Sequence, residues 1–312
     1  MTHIPLVSVV MPLYNKRPYV KRAIDSVRQQ TFTDWELIIV DDGCTDGSSA
    51  EIPEDDPRIR LFRQPNSGPG AARNHGIKLA RGELVTFIDA DDYYYPQKLE
   101  EEMSLLFKER KAEWMISAFD RQEDNHIRHC KYCDINGREL QAQTLVLDNA
   151  LNQISLQGMP IDGLCIKKHL LDRLGGFNEE MRCYEITEFI IRCALKQPKV
   201  LVHPTPLYCV VNVDDSAFAV SSHRILGMRQ FGESLLHLCK DYPESSHLLK
   251  PKSRKIFISY ATALIRTGKG REARRFLTKK FPYEWDKIWW KLWIISWLSG
   301  WLLKRRVYAS TN

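Results

Sequence analysis

What most constrains the fold is a rhythm in the first 120 residues, where short apolar runs alternate with stretches of helical spacing. Val7-Ser8-Val9-Val10-Met11 has strand length and is closed by Pro12. Residues 16–30 follow, with Val20, Ala23, Ile24 and Val27 on one helical face. Trp35-Glu36-Leu37-Ile38-Ile39-Val40 forms a second strand ended by Asp41-Asp42-Gly43, and residues 59–63 form a third. Residues 68–80 read as a helix behind a Gly/Pro turn, Leu84-Val85-Thr86-Phe87-Ile88 as a strand, and residues 97–110 as a helix. Strands and helices at this spacing imply right-handed βαβ units and an α/β fold with a mostly parallel sheet flanked by helices.

Beyond residue 120 the rhythm weakens. Residues 112–118 read as a strand and 120–143 as a polar loop. Residues 168–175 and 184–195 read as helices, and 200–202 and 207–211 as two strands. From Ser221 onward the pattern is helical, and residues 257–281 suggest a helix–turn–helix broken at Gly268-Lys269-Gly270.

A hydrophobic share of 44% and a charged share of 27% exclude a disordered chain. Eight scattered cysteines suit a reducing cytosol rather than a disulfide framework. Residues 4–13 lack a basic leader and contain Pro5 and Pro12, so they read as a buried strand and not as a secretory signal. The expected location is cytoplasmic. The net charge of +6 is uneven: from Lys250 to Asn312, 16 basic residues face three acids, a balance of +13, which leaves −7 for the rest. A basic tail of this kind suggests an anionic surface as its partner.

In an open parallel sheet, ligands bind beyond the carboxyl ends of the strands. Three polar clusters lie at such ends: Pro12-Leu13-Tyr14-Asn15, Asp41-Asp42-Gly43 and Asp89-Ala90-Asp91-Asp92. Converging carboxylates repel one another unless a cation sits among them, and oxygen ligands suit Mg²⁺ or Mn²⁺. No Walker-type loop and no Gly-x-Gly-x-x-Gly follows the first strand. Phosphate recognition must then come from the metal and from cationic side chains.

These clusters, taken with Cys44-Thr45-Asp46-Gly47-Ser48, Asn66-Ser67-Gly68, Ala72-Arg73-Asn74-His75-Gly76 and Gly82-Glu83, resemble the ordered signature of family 2 glycosyltransferases. The resemblance covers residues 5–215. It implies an inverting enzyme of GT-A fold, a metal-dependent hexosyl or N-acetylhexosaminyl transferase using a nucleotide-sugar donor, with UDP the expected nucleotide. It implies a catalytic domain over residues 1–215, with 1–120 the nucleotide-binding half and 121–215 the acceptor half, and a helical appendage over 216–312. Pro12, Tyr14 and Asp42 fall where the family meets the nucleoside, Asp42 at the uracil ring N–H, and Asn15 and Ala90 are expected among the cofactor-binding residues. Asp41 and Arg73 fall nearby, as nucleoside or phosphate contacts. Asp91 matches the metal carboxylate and Asp89 opens the Asp-x-Asp motif around Ala90, while Asp92 is read as structural.

An inverting transfer also needs a carboxylate to take the acceptor proton. The family places it in a Glu-Asp pair after Gly-Gly-Phe-(Asp/Asn)-Glu. Here Gly175-Gly176-Phe177-Asn178-Glu179 is followed by Glu185-Ile186-Thr187-Glu188, without the Asp. Glu185 as base, Glu188 as base, and a binding protein that has lost transfer all remain open. Both glutamates also suit a helix N-terminus through its dipole.

His126, His129, Cys130 and Cys133 have zinc-like spacing but lack a second Cys-x-x-Cys. Asp162 reads as an acceptor contact or a turn cap, and His203 and Asp214 read as structural. The Trp-rich stretch from Ile288 to Leu303 is interrupted by Lys291 and followed by Lys304-Arg305-Arg306. It is shorter than a membrane span and suits a helix lying at a membrane interface, here the inner face. The expected acceptor is a glycan or lipid-linked glycan in surface polysaccharide synthesis. Nucleic acid is not an expected partner, because aromatic and basic residues are not interleaved.

Overall fold

The computed structural model describes residues 3–123, 126–130, 132, 139, 145–153, 159–212, 222–280, 291–292 and 294–296. The chain divides into two compact units, Met1–Ser216 and Ala217–Asn312.

The first unit opens with β1 (Val7–Leu13), α1 (Arg17–Arg28), β2 (Trp35–Asp41), β3 (Ile59–Arg63), α2 (Pro69–Leu79) and β4 (Leu84–Phe87). It continues with β5 (Tyr93–Tyr94), α3 (Lys98–Lys108), β6 (Trp114–Glu123), β7 (His126–Cys130), β8 (Leu145–Leu147) and α4 (Ala150–Gln153). It closes with β9 (Leu164–Lys167), α5 (Lys168–Leu174), α6 (Glu185–Lys196) and β10 (Val200–Val211).

The strands form one sheet in the order β3-β2-β1-β4-β9-β6-β10-β5, with β7 beside β6 and β8 beside β10. Parallel pairing holds from β3 to β4 and again between β6 and β10. The sheet as a whole is mixed, because β9 runs antiparallel to both β4 and β6. That reversal matters for the site. An antiparallel partner of β4 begins where β4 ends, so the residues before Leu164 arrive at the same rim as the residues after Phe87.

The central strands are buried on both faces, which is why they read as continuous apolar runs. Val7, Val9, Met11, Leu37 and Ile39 pack against Val20, Ala23, Ile24 and Val27 of α1 in one cluster. Each such side chain contributes about 2 kcal/mol on burial. On the other face α2 approaches β1 so closely that a Cβ on Gly76 would lie 2.4 Å from Val10 Cγ1.

Two expectations change. Residues 120–143 are not all loop: β6 runs on to Glu123 and pairs with β7. Four of the five β7 residues are exposed, so the strand carries no apolar alternation to read. The two short strands at 200–202 and 207–211 are one strand, β10, with a register shift between His203 and Tyr208 where Pro204 and Pro206 interrupt donors.

Glu36 holds the opposite end of the sheet. Its carboxylate, 1% exposed, accepts from Ser8 Oγ (2.8 Å), Arg60 Nη1 (2.8 Å), and the backbone N–H and guanidinium of Arg81 (2.7–2.9 Å). Burial raises its pKa, but the hydrogen bonds from Arg81, Ser8 and Arg60 outweigh it and hold the group below its ordinary value of 4.5. A depressed carboxylate stabilises the fold above its unfolded pKa, and that contribution is lost as pH falls through the folded one. Glu36→Gln is expected to cost about 3 kcal/mol at neutral pH, with the gap to wild type narrowing toward about pH 4. Urea unfolding at both pH values checks this.

The second unit contains α7 (Ser222–Asp241), α8 (Ser246–Arg266) and α9 (Gly270–Lys280). Ile225, Phe257, Tyr260, Leu264, Ala273 and Phe276 form its core. The helix–turn–helix expected at 257–281 is longer at its start, since α8 begins at Ser246. No helix among the described residues is long and apolar enough to cross a membrane. Most of the Trp-rich tail, with Lys304, Arg305 and Arg306, lies outside the described residues. Of its described part, Leu292 packs on the core of this unit, while Ile294 and Ile295 are exposed.

Candidate active site

The polar clusters after β1, β2 and β4 share one rim, because the strands are in parallel register. Leu13 pairs with Asp41, and Val10 pairs with Phe87. After β1, Pro12 is half-buried and Tyr14 is 48% exposed, a free aromatic surface at the rim. Asn15 adopts a left-handed φ of 50°, a conformation Asn tolerates. Its Oδ1 accepts from the Thr45 N–H at 2.8 Å, and its own N–H donates to Cys44 Sγ at 3.4 Å, which braces the loop after β1 against the loop after β2.

Asp41 and Asp42 are both buried and engaged by their own loops. Asp41 accepts from the Cys44 N–H (2.8 Å) and Ser49 Oγ (2.5 Å) and lies 3.4 Å from Arg63 Nε. Burial raises its pKa, and these hydrogen bonds more than reverse that. Asp42 Oδ1 accepts from Gln64 Nε2 and the Ser67 N–H, and Oδ2 from the Gly68 N–H, each at 2.8 Å. Its carboxylate therefore clasps the 64–68 loop that leads into α2.

α2 joins the two halves of the first unit. Asn74 Nδ2 donates to Phe177 O (2.9 Å) and Glu179 Oε1 (2.8 Å), and its Oδ1 accepts from the Phe177 N–H (2.7 Å). The chain fits against Asn74 at Gly176, where φ is +77° and a Cβ would lie 2.3 Å from Asn74 Oδ1. Arg73, 3% exposed, donates through Nη2 to Asp89 Oδ1 (2.7 Å) and through Nη1 to Glu185 Oε1 (3.0 Å). Burial disfavours the Arg73 charge, and the two carboxylates more than offset that. Glu185 opens α6 directly after Tyr184, whose φ of +70° is costly for a bulky side chain and aims the helix start at Arg73.

After β4, Asp89, Asp92 and Asp162 each offer a carboxylate oxygen within 4.8 Å of the others. The Asp89 N–H donates to Asp162 Oδ1 at 2.7 Å, and the Val211 N–H donates to Asp92 Oδ1 at 2.8 Å. Burial first, and the neighbouring carboxylates next, push Asp92 and Asp162 above the usual carboxylate range. Asp162 Oδ2 is buried without a hydrogen-bond partner. Hard oxygen donors clustered around an orphaned carboxylate oxygen fit Mg²⁺ or Mn²⁺. Asp91 points elsewhere, onto Lys16 Nζ at 2.7 Å, and Ala90 between the acids is buried. The more accessible carboxylates are Asp89 and Asp91, at 31% and 18% side-chain exposure, while Asp92 and Asp162 lie beneath.

Several sequence expectations are thereby placed. Glu188 does not join Asp89: its carboxylate is paired twice with Arg192 Nε (2.9 and 3.0 Å), and that guanidinium also holds Leu174 O and Gly176 O. Asp162 is fully buried, so it belongs under the acidic cluster and not on an acceptor surface. His126 and His129 sit three apart on β7 and face opposite sides, and Cys133 and Asp214 lie outside the described residues. His203 Nδ1 lies 3.0 Å from Thr205 O, a structural contact. Two residues went unread: Lys16, and Asn74 as a clasp. Their partners are 75 and 103–105 residues away, beyond any local pattern.

Residues 8–150 match the family model described as glycosyl transferase family 2. An uncharacterized glycosyltransferase of Haemophilus influenzae is 35% identical over 150 residues, 46% of this chain and 54% of that protein. The uncharacterized glycosyltransferase EpsJ of Bacillus subtilis is 50% identical over 94 residues, 29% of this chain and 27% of that protein. The matched stretch thus spans 54% or less of the length of these relatives. S. aureus TarS 1-349 in complex with UDP-GlcNAc superposes with a TM-score of 0.59 at 19% identity, covering 93% of this chain and 79% of that one. The mannosyltransferase PcManGT of Pyrobaculum calidifontis, in complex with GDP-Man and Mn²⁺, gives 0.58 at 17%, covering 96% and 87%. At such identities the likeness speaks for the fold, an α/β GT-A sheet flanked by helices with helical elements after it.

Proposed function

The chain belongs, through residues 8–150, to glycosyl transferase family 2, and on that premise we propose that it moves a sugar, with inversion, from a UDP-linked donor to a hydroxyl of a glycan or lipid-linked glycan. The observation that carries this reading is the buried Arg73 bridge, which ties Asp89 on the donor side to Glu185 on the acceptor side. Tyr14 stacks on the nucleoside beside Pro12 and Asn15, with Asp41 and Asp42 holding the loops that shape its pocket. Asp91 and Asp89, the two more accessible carboxylates of the run, would hold a divalent cation above the buried Asp92 and Asp162. When bound, that ion stabilises the charge that gathers on the diphosphate.

Glu185 takes the acceptor proton as the acceptor oxygen bonds to the anomeric carbon. The bond from that carbon to the diphosphate oxygen breaks, and its electron pair leaves with the nucleotide. Arg73 orients Glu185 through its Nη1 and Asp89 through its Nη2. The basic, Trp-rich tail rests on the inner face of a membrane, where a lipid-linked acceptor would be found. Assembly of a surface polysaccharide is the setting we infer.

A second reading, a nucleotide-sugar-binding protein without transfer, draws support from Ile186 and from the ion pair that already engages Glu185. A panel of nucleotide sugars, scored by thermal unfolding with and without Mn²⁺, tests the donor assignment. UDP-sugars at a hundred times their Kd are expected to add about 2.7 kcal/mol, only with metal present. Protection by GDP-sugars alone would replace the UDP assignment.

A further inference from the structure

We propose that Lys16 is an exchangeable counter-ion: its ammonium neutralises Asp91 in the donor-free protein and moves onto the donor's diphosphate when the divalent cation takes Asp91. This rests on the functional reading above, which places metal and diphosphate at Asp91. The geometry behind it is specific. Lys16 Nζ lies 2.7 Å from Asp91 Oδ2, with the two side chains 21% and 18% exposed. A divalent cation and an ammonium repel and compete for that carboxylate, so the arriving metal displaces Lys16.

Only the tip of Lys16 is free to go. Its backbone N–H donates to Ser48 Oγ at 2.9 Å, and its carbonyl accepts from the Tyr19 and Val20 N–H groups at 2.9 and 3.0 Å. The residue thus starts α1 from a fixed point, and four flexible methylenes keep the ammonium at the rim. Lysine suits such a swap because it is a compact point charge with no fixed fork. Two neighbouring cations are committed to other sites: Arg73 to Asp89 and Glu185, and Arg22 to the Asp91 carbonyl at 2.7 Å and the Tyr93 ring at 4.9 Å.

The test is Lys16→Gln in the full chain, with two binding measurements in place of activity. Mn²⁺ titration by electron paramagnetic resonance, without nucleotide, is expected to show binding about fivefold tighter than wild type. Calorimetry with saturating Mn²⁺ is expected to show UDP binding weakened about tenfold and uridine binding unchanged. An ion pair that merely supports the fold predicts a lower Tm with both affinities unmoved or both weakened, and either result overturns the proposal. If the variant does not fold, Lys16→Arg takes its place. The broader guanidinium keeps the charge but should weaken Mn²⁺ and UDP together by keeping hold of Asp91, and unchanged affinities overturn the proposal. A wild-type protein that binds neither Mn²⁺ nor UDP overturns the functional reading and this inference with it. Binding of both, with Lys16→Gln indistinguishable from wild type, overturns the inference alone.

Discussion

Glu185→Gln is expected to lower the turnover of sugar transfer by about a thousandfold, the range expected on losing a positioned general base. Metal-dependent UDP affinity should stay within about twofold, because a transition-state role shows in kcat and not in ground-state binding. The amide keeps the size of the side chain and its contact with Arg73, which retains Asp89 as a full ionic partner at 2.7 Å. The corresponding Glu188→Gln change should act differently. Glu188 pairs with Arg192, and that arginine holds the carbonyls of Leu174 and Gly176, so the loss should appear as a lower Tm. Steady-state kinetics and UDP calorimetry on the two variants separate these roles. Unchanged turnover in Glu185→Gln would remove Glu185 as the base and favour binding without transfer.

The choice between the two glutamates shows what the sequence carries and where it stops. Both lie on the first turn of α6, and helical spacing alone does not rank them. One signal was legible: Glu188 and Arg192 stand four apart, the spacing of a helical ion pair. The contact that recommends Glu185 was not, since Arg73 lies 112 positions earlier. The same division runs through the fold. β1, β2 and β4 are visible because central parallel strands are apolar runs closed by polar turns. β7 is invisible because an exposed edge strand has no apolar face.

The acidic cluster divides in the same way. Asp89, Asp91 and Asp92 announce themselves as a run at a strand end. Asp162 joins them only because β9 enters the sheet antiparallel between β4 and β6, and no periodicity in residues 159–167 reveals strand direction. The charges that balance the cluster are equally non-local. Lys16 caps α1 and Arg73 lies within α2, and each meets an aspartate from the loop after β4.

Asp91→Asn is the most direct test of the proposal that a nucleotide diphosphate is held through a divalent cation at Asp91. The substitution keeps the shape of the side chain and removes the charge that Lys16 pairs with and that the proposed metal would take. Losing one charged ligand should weaken UDP binding in the presence of Mn²⁺ by at least about a hundredfold, since a metal-ligand carboxylate supplies both charge and an oxygen donor. Uridine, which lacks the diphosphate, should bind wild type and variant alike. Calorimetric titration of UDP, with Mn²⁺ and with chelator, is the measurement. Wild-type binding that needs the metal and disappears in Asp91→Asn is the predicted result. UDP binding that ignores both the chelator and the substitution would contradict it.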